Sequence, residues 1–436
     1  MRPRMPFDDV AWKRGESISD ACLSYIFKSE NLWKIGDFVI EHHKHTPTEL
    51  CSPRGGVFNV WFRMKFQIRG SVMIRLTKPG TTMFPEEKTR YEVATMKYIQ
   101  DQTSISVPLV LHFGSKDPGP PIQGSGAFML IRPTNPDPSI DEDKLERLYG
   151  EMAAVLRKLS RLVRLRTLPR SSLPDRHFDS AQFYFEYLAD LQMAHLWHQR
   201  NDAIDSENDC RRKYVARFLF RKLAREGFLT SPTSNNDAFP LWCNDIRPAN
   251  VLINENLEIF GVVDWEFSYA APVEFSHAPP WWLLLDPPEY WREGLDAWSE
   301  TYDKRLKIFL KVLEKCENTA IERGRLSEDQ RLSGHMRRSW DTGDFWVAYA
   351  ARKPFAFDFI FWKKLDTRFF GPGTISDEDR WTERIDLLDE RGKEDMETLV
   401  KRKMEEAKER VLAWEPDEAT SESAQFLDKD QRNFSS

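Results

Sequence analysis

Residues 243–266 limit what this chain can fold into more than any other stretch. They begin Cys243-Asn244-Asp245-Ile246-Arg247-Pro248-Ala249-Asn250-Val251-Leu252-Ile253, and Val262-Val263-Asp264-Trp265-Glu266 comes downstream. Val251 to Ile253 and Ile259 to Val263 are apolar runs bounded by Asn and Gly. They fit a buried hairpin that holds Asn250 and Asp264 rigidly. Asp and Asn beside a turn are ordinary turn formers, and Asp-x-x-x-x-Asn alone is weak. The joint pattern of Asp-x-x-Pro-x-Asn, an apolar hairpin and a following Asp is far more restrictive.

Phosphoryl transfer needs a carboxylate near the attacking hydroxyl and oxygen ligands for Mg²⁺. Asp245 suits the first requirement, since it would orient or deprotonate the acceptor hydroxyl. Asn250 and Asp264 suit the second. Arg247, inside the loop, would meet the transferring phosphate or pair with a nearby carboxylate. Glu266 would face the substrate or support the metal site.

The surrounding chain reads as two regions. Arg54-Gly55-Gly56-Val57-Phe58-Asn59 is a glycine turn. Val60 to Ile68 and Ser71 to Thr77 read as paired strands. In the second, Val72, Ile74 and Leu76 share one face, and Met73, Arg75 and Thr77 share the other. Pro85 to Gln100 reads as a helix, with Pro85 in its first turn and Glu86 and Glu87 at its positive end. Val107 to Phe113 and Ala127 to Arg132 read as strands around a Pro/Gly loop at 116–126. The run Pro133 to Pro138 marks a boundary. Beyond it, Leu145, Leu148, Met152, Val155, Leu156 and Leu159 repeat at helical spacing. More helix is expected from Ser180 to Glu226, from Pro288 to Arg323, and along Met396, Leu399, Val400, Met404, Ala407 and Val411. Residues 1–50 read as a mainly helical extension, 51–133 as a small lobe, 134–415 as a large helical lobe and 416–436 as a polar, frayed tail. His42, His43 and His45 read as a solvated helix end.

Composition narrows the remaining classes. Hydrophobic residues make up 41% of 436, enough for a sizeable core. The net charge of −6 argues against a nucleic-acid partner. No stretch has 18 uncharged apolar residues, so no membrane span is expected. The five cysteines are scattered and form no CxxC pair, which suits a reducing, cytoplasmic setting.

Residues 243–266 resemble the aminoglycoside phosphotransferase/choline kinase-like family, which carries His-x-Asp-x-x-Pro-x-Asn and then an Asp often followed by Trp-Glu. The resemblance covers most of the chain, with the catalytic block its specific part. It implies an α+β, bilobal protein-kinase-like fold with a small antiparallel N-lobe and a mostly helical C-lobe. It also implies ATP and Mg²⁺ as cofactors, and transfer of the γ-phosphate to a hydroxyl of a small-molecule acceptor. Arg75 would stand where the family has a strand Lys, with Glu92 as its partner; Lys65 and Lys78 are rivals. Gly55 and Gly56 would let backbone amides approach phosphates. Ile131, within Met129 to Pro133, would lie at the hinge that receives adenine. Trp281, Trp282, Trp340, Asp341, Asp344, Phe345 and Trp346 are candidate acceptor residues or helix-bundle core. Pro279 to Leu283 and Ser339 to Trp346 resemble a fungal branch of the family with largely unassigned substrates.

Two departures stand out. Cys243 occupies the position of the loop-ordering His, and a Cys nucleophile there would have no His near it in sequence. Arg75 replaces Lys, which keeps the charge and adds bidentate geometry. Both leave open a degenerate, non-catalytic nucleotide-binding protein. Protein phosphorylation is disfavoured, because no Ala-Pro-Glu segment follows Asp264. The acceptor, the choice of ATP or GTP and the oligomeric state stay open.

Overall fold

Alternation along residues 71–77 decides how the small lobe packs. In the computed structural model, which describes residues 9–56, 58–68, 70–82, 84–103, 105–114, 127–132, 174, 178–201, 203–230, 239–253, 259–414 and 416–434, this segment is a central strand. Helices α1 (Asp9–Ile26) and α2 (Ser29–His43) come first. The sheet comprises β1 (Pro47–Leu50), β2 (Arg54–Gly55), β3 (Asn59–Phe66), β4 (Ser71–Thr77), β5 (Leu109–Gly114) and β6 (Phe128–Arg132). Its order is β1-β3-β4-β6-β5, with β2 also paired to β3 and every pairing antiparallel. The sheet therefore begins at Pro47, before the expected boundary at 51.

Val72, Ile74 and Leu76 join Ile35, Phe38 and Val39 of α2 in one core. The opposite face carries Met73 and Arg75 toward α3 (Pro85–Gln102). Both faces are covered, so the lobe has three layers. His43 is buried with its ring 4.0 Å from that of Phe66, and His42 stacks on His112 at 4.6 Å. The solvated histidine cluster expected there is thus partly aromatic core.

The second lobe is mostly helical. The expected helix over 180–226 is two helices, α4 (Ala181–His198) and α5 (Glu207–Arg225). Ser180 and Ser206 start them, each accepting a backbone N–H with its side chain. Strands β7 (Leu241–Cys243) and β10 (Ser268–Ala270) pair, as do β8 (Val251–Ile253) and β9 (Ile259–Val262). Helices α6 (Val273–His277), α7 (Leu295–Glu322), α8 (Ser333–Thr342) and α9 (Asp344–Arg352) follow. A large apolar core built around Trp298, Tyr302, Tyr349 and Trp362 joins them. The expected loop at 116–126, boundary at 133–138 and helix over 145–159 lie outside the described residues. Among the described residues, no helix is long and apolar enough to cross a membrane.

The C-terminal segment differs from the frayed tail expected. Helix α10 (Glu390–Glu406) buries Met396, Leu399 and Val400, and it stops before Val411. Val411 is instead held in extended chain by Asn201, which accepts its N–H at 3.0 Å and donates to its carbonyl at 2.9 Å. Helix α11 (Glu418–Phe434) then returns to the small lobe. Its Leu427 is buried in the α2–sheet core, and Phe426 packs edge-on against Tyr25 at 5.1 Å. An apolar stripe on a polar helix is invisible to composition, and the partner surface lies some 400 residues earlier in the chain. Leu427→Ala should lower unfolding free energy by about 2–4 kcal/mol in denaturant titration. A loss under about 0.5 kcal/mol would show that α11 does not contribute to the core.

Candidate functional site

Strand β7 delivers the chain into a short loop pinned at several points. The Asn244 N–H donates to the Phe267 carbonyl at 3.0 Å. Pro248 opens a single 3₁₀ turn, closed when the Asn250 N–H donates to the Arg247 carbonyl at 2.9 Å. The Asn250 side chain donates its Nδ2 to the Asp245 carbonyl at 2.8 Å. That bond uses the amide nitrogen and leaves the amide oxygen for another group. The Val263 N–H donates to the Asn250 carbonyl at 2.9 Å, which joins the end of β9 to the loop. The structure thus brings Asp245, Asn250 and Asp264 together.

Asp264 has φ +68°, in the left-handed region that Asp enters more readily than most residues. Such a conformation costs of order 1–3 kcal/mol and persists only where neighbours hold it. Here the next residue, Trp265, is buried and donates its Nε1 to the Val262 carbonyl at 3.1 Å.

Across the cleft, the small lobe presents a buried cation. Arg75 and Glu92 form a two-pronged pair, with Nη1 to Oε1 at 2.8 Å and a second contact between Nη2 and Oε2. Both side chains are 1% exposed. Arg75 Nη1 also lies 3.7 Å from Asp264 Oδ1 and 3.6 Å from Glu266 Oε2. Lys88 Nζ stands 2.8 Å from Glu266 Oε2, and Asn59 Nδ2 donates to the same oxygen at 3.1 Å. Lys65 pairs instead with exposed Glu49 on the sheet edge. Two cations thus face three carboxylates: Glu92, Asp264 and Glu266. Burial opposes the Arg75 charge, but Glu92 and Glu266 outweigh it and push its pKa up. Burial alone would raise Glu266, yet Lys88 and Arg75 hold it below its ordinary value. Asp264 is left with the deficit. Burial first, then Glu266 and Glu92, push it up to about 7.

This arrangement fits a divalent cation. The Asp264 Oδ1 atom is buried without a hydrogen-bond donor. A carboxylate oxygen that accepts no hydrogen bond and an amide oxygen left free by its Nδ2 bond are hard oxygen donors, which suit Mg²⁺. Among the described residues no three His, Cys, Asp or Glu side chains form a metal cage. One Asn and one Asp would leave most of an octahedron to phosphate oxygens and water.

The other candidates are dispersed. Arg247 Nε is 3.6 Å from Asp245 Oδ1, so it pairs with the loop carboxylate. Gly55 lies in β2, and Gly56 closes a turn by donating to the Asn59 carbonyl at 2.8 Å. Neither has positive φ, and an added Cβ at Gly55 would meet open space. The Ile131 side chain is buried between α3 and the catalytic strands, with Val93, Met96 and Val262. Glu266 is tied to Lys88 and Asn59 rather than facing an open acceptor pocket. Trp281 and Trp282 lie on a 3₁₀ turn, partly buried against the helical core or Phe309. Trp340 packs at 4.7 Å from Tyr302 and 5.3 Å from Phe345, within that same core. Asp344 pairs with Arg368 at 2.6 Å. It sits roughly 12 Å along α9 from Arg352, the α9 residue that touches the loop.

Cys243 is buried, and burial pushes its thiol up to about 11. It is a packing group rather than a nucleophile at neutral pH. Lys88, Asn59 and Asn244 escaped the sequence reading. Lys88 had a signal: it lies four residues before Glu92, so both occupy one helix face. Asn59 and Asn244 had none, because their partners are distant in sequence.

A family model described as "Phosphotransferase enzyme family" matches residues 57–307, and the chain belongs to that family. Among solved structures, an ethanolamine kinase from Plasmodium vivax is similar at 10% identity, covering 86% of this chain and 94% of that one, with a TM-score of 0.37. Among curated proteins none matches this sequence.

The Asp264 shift has a stability consequence. Its folded pKa of about 7 exceeds its ordinary 3.8, so between these values the folded state binds more protons than the unfolded state. The contribution of Asp264 is therefore greatest below about pH 4 and declines as pH rises through 7. Asp264→Asn, without Mg²⁺, should gain more stability over wild type at pH 8 than at pH 5 in urea titrations. Equal differences at both pH values would refute the shift.

Proposed function

We propose that the protein transfers the γ-phosphate of ATP to a hydroxyl of a small molecule, with Mg²⁺. The observation that carries this reading is the meeting of Asp245, Asn250 and Asp264 around one loop, with one Asp264 oxygen buried and accepting no hydrogen bond. Asp245 accepts the proton of the acceptor hydroxyl as its oxygen bonds to the γ-phosphorus and the bond to the ADP oxygen breaks. Asn250 and Asp264 would hold Mg²⁺, which when bound neutralises phosphate charge. Arg75, aligned by Glu92, supplies permanent positive charge on the nucleotide side. Arg247 sits beside Asp245, where it can meet the transferred group. Gly55 and Gly56 leave room for backbone to approach phosphates, and the Ile131 segment would receive the base.

The two sequence departures both accord with a working enzyme. The strand cation and helix carboxylate form their pair with Arg in place of Lys. The loop is ordered by backbone and Asn250 bonds despite Cys243. The aromatic residues near Trp281 would border the acceptor. The absence of any disulfide among the described residues suits a cytoplasmic setting.

Mg²⁺-ATP at 100 times its dissociation constant should stabilise the wild type by about 2.7 kcal/mol. That gain should need Mg²⁺ and vanish in Asp264→Ala. In a screen of hydroxyl metabolites, Asp245→Asn should lower kcat by roughly 10²–10⁴-fold with nucleotide affinity retained. Binding of Mg²⁺-ATP without transfer to any acceptor would favour the degenerate reading instead.

A further inference from the structure

A buried charge is normally paired with an opposite charge or closely hydrogen-bonded. Arg352, at the end of α9, is 8% exposed, and among the described residues it has no carboxylate within 4 Å. Its guanidinium lies 5.0 Å from the Trp242 ring and 4.7 Å from the Phe275 ring. Its Nε donates to the Ala348 carbonyl at 2.9 Å. Its Nη1 donates to Asn244 Oδ1 at 3.3 Å. Burial opposes its charge and lowers its pKa, with the phenols of Tyr269 and Tyr349 close by.

These contacts converge on one place. Trp242 and Asn244 flank Cys243, and Asn244 immediately precedes Asp245. The Asn244 backbone is fixed independently through Phe267. The bond to Arg352 adds a side-chain constraint, at the residue before Asp245, to this backbone one. A planar fork between two rings meets both acceptors at once through Nε and Nη1. Such a charged group is costly to bury for packing alone.

We infer that Arg352 is a positioning residue, which sets the reach of the Asp245 carboxylate toward the acceptor by gripping Asn244. The inference rests on the phosphotransfer reading of Asp245. Small displacements of a reacting group cost orders of magnitude in rate.

The test is a double-mutant cycle with two readouts on the full chain. Asn244→Ala and Arg352→Met should each lower kcat for ATP turnover roughly 10- to 100-fold. The nucleotide KM should change by less than about threefold. Arg352→Met in the Asn244→Ala background should cost no more than about twofold further. In hydrogen exchange, the Asn250 and Val263 amides should exchange roughly tenfold faster in each variant, with the amides of α5 unchanged. Additive kcat losses, or loop amides at wild-type rates, would overturn the inference. A rise in exchange spread evenly over loop and α5 would also overturn it, since that marks a purely structural role. If the wild type turns over no ATP, the proposed function fails, and the exchange rates alone decide the role of Arg352.

Discussion

Arg75 and Glu92 are both almost fully buried, and each would cost several kcal/mol to bury alone. Their two-pronged contact makes that burial tolerable, and it fixes α3 against the open face of the sheet. Lys88, one turn earlier on α3, carries the ionic contact to Glu266 in the second lobe, and Asn59 at the start of β3 meets the same carboxylate. The contact between the lobes is therefore held by charge as well as by the apolar cluster of Ile131, Val262 and Trp265. The third carboxylate, Asp264, has no full partner. Burial first, and this imbalance second, raise its pKa, and together they make the place suitable for a divalent cation.

Around this centre, the second lobe uses its tryptophans mainly as a scaffold. Trp298, Trp340 and Trp346 pack with Tyr302 and Phe345 in one aromatic core, where large rings bury much area with little loss of rotamer freedom. That core orients α9, and α9 ends at Arg352 beside the Asp245 loop. Far along the chain, α11 returns to pack on α1 and the sheet core, so that α1 and α11 together consolidate the small lobe.

Much of the site was legible because its residues are close in sequence. Asp245, Asn250 and Asp264 lie within 20 residues, and the turn and hairpin between them follow from local preferences. The alternation in β4 placed Arg75 on one face, and the family resemblance named Glu92 as its partner. The substrate candidates fared differently. Trp340 and Asp344 have the chemistry of a pocket, but residue type does not distinguish a pocket wall from a core or a surface ion pair. The Leu427 stripe of α11 went unread for a related reason: its short apolar face gains meaning only from the surface it covers.

Local chemistry in the sequence alone determined the loop that carries Asp245 and Asn250, the strand alternation and the helix bearing Glu92, because backbone preference and periodicity act over a few residues. Only the tertiary structure decided that Glu266 joins the lobes, that Asp264 is left uncompensated and that Arg352 holds Asn244. Those outcomes depend on burial and on Coulomb contacts between residues up to about two hundred positions apart. Neither quantity exists until the chain has folded.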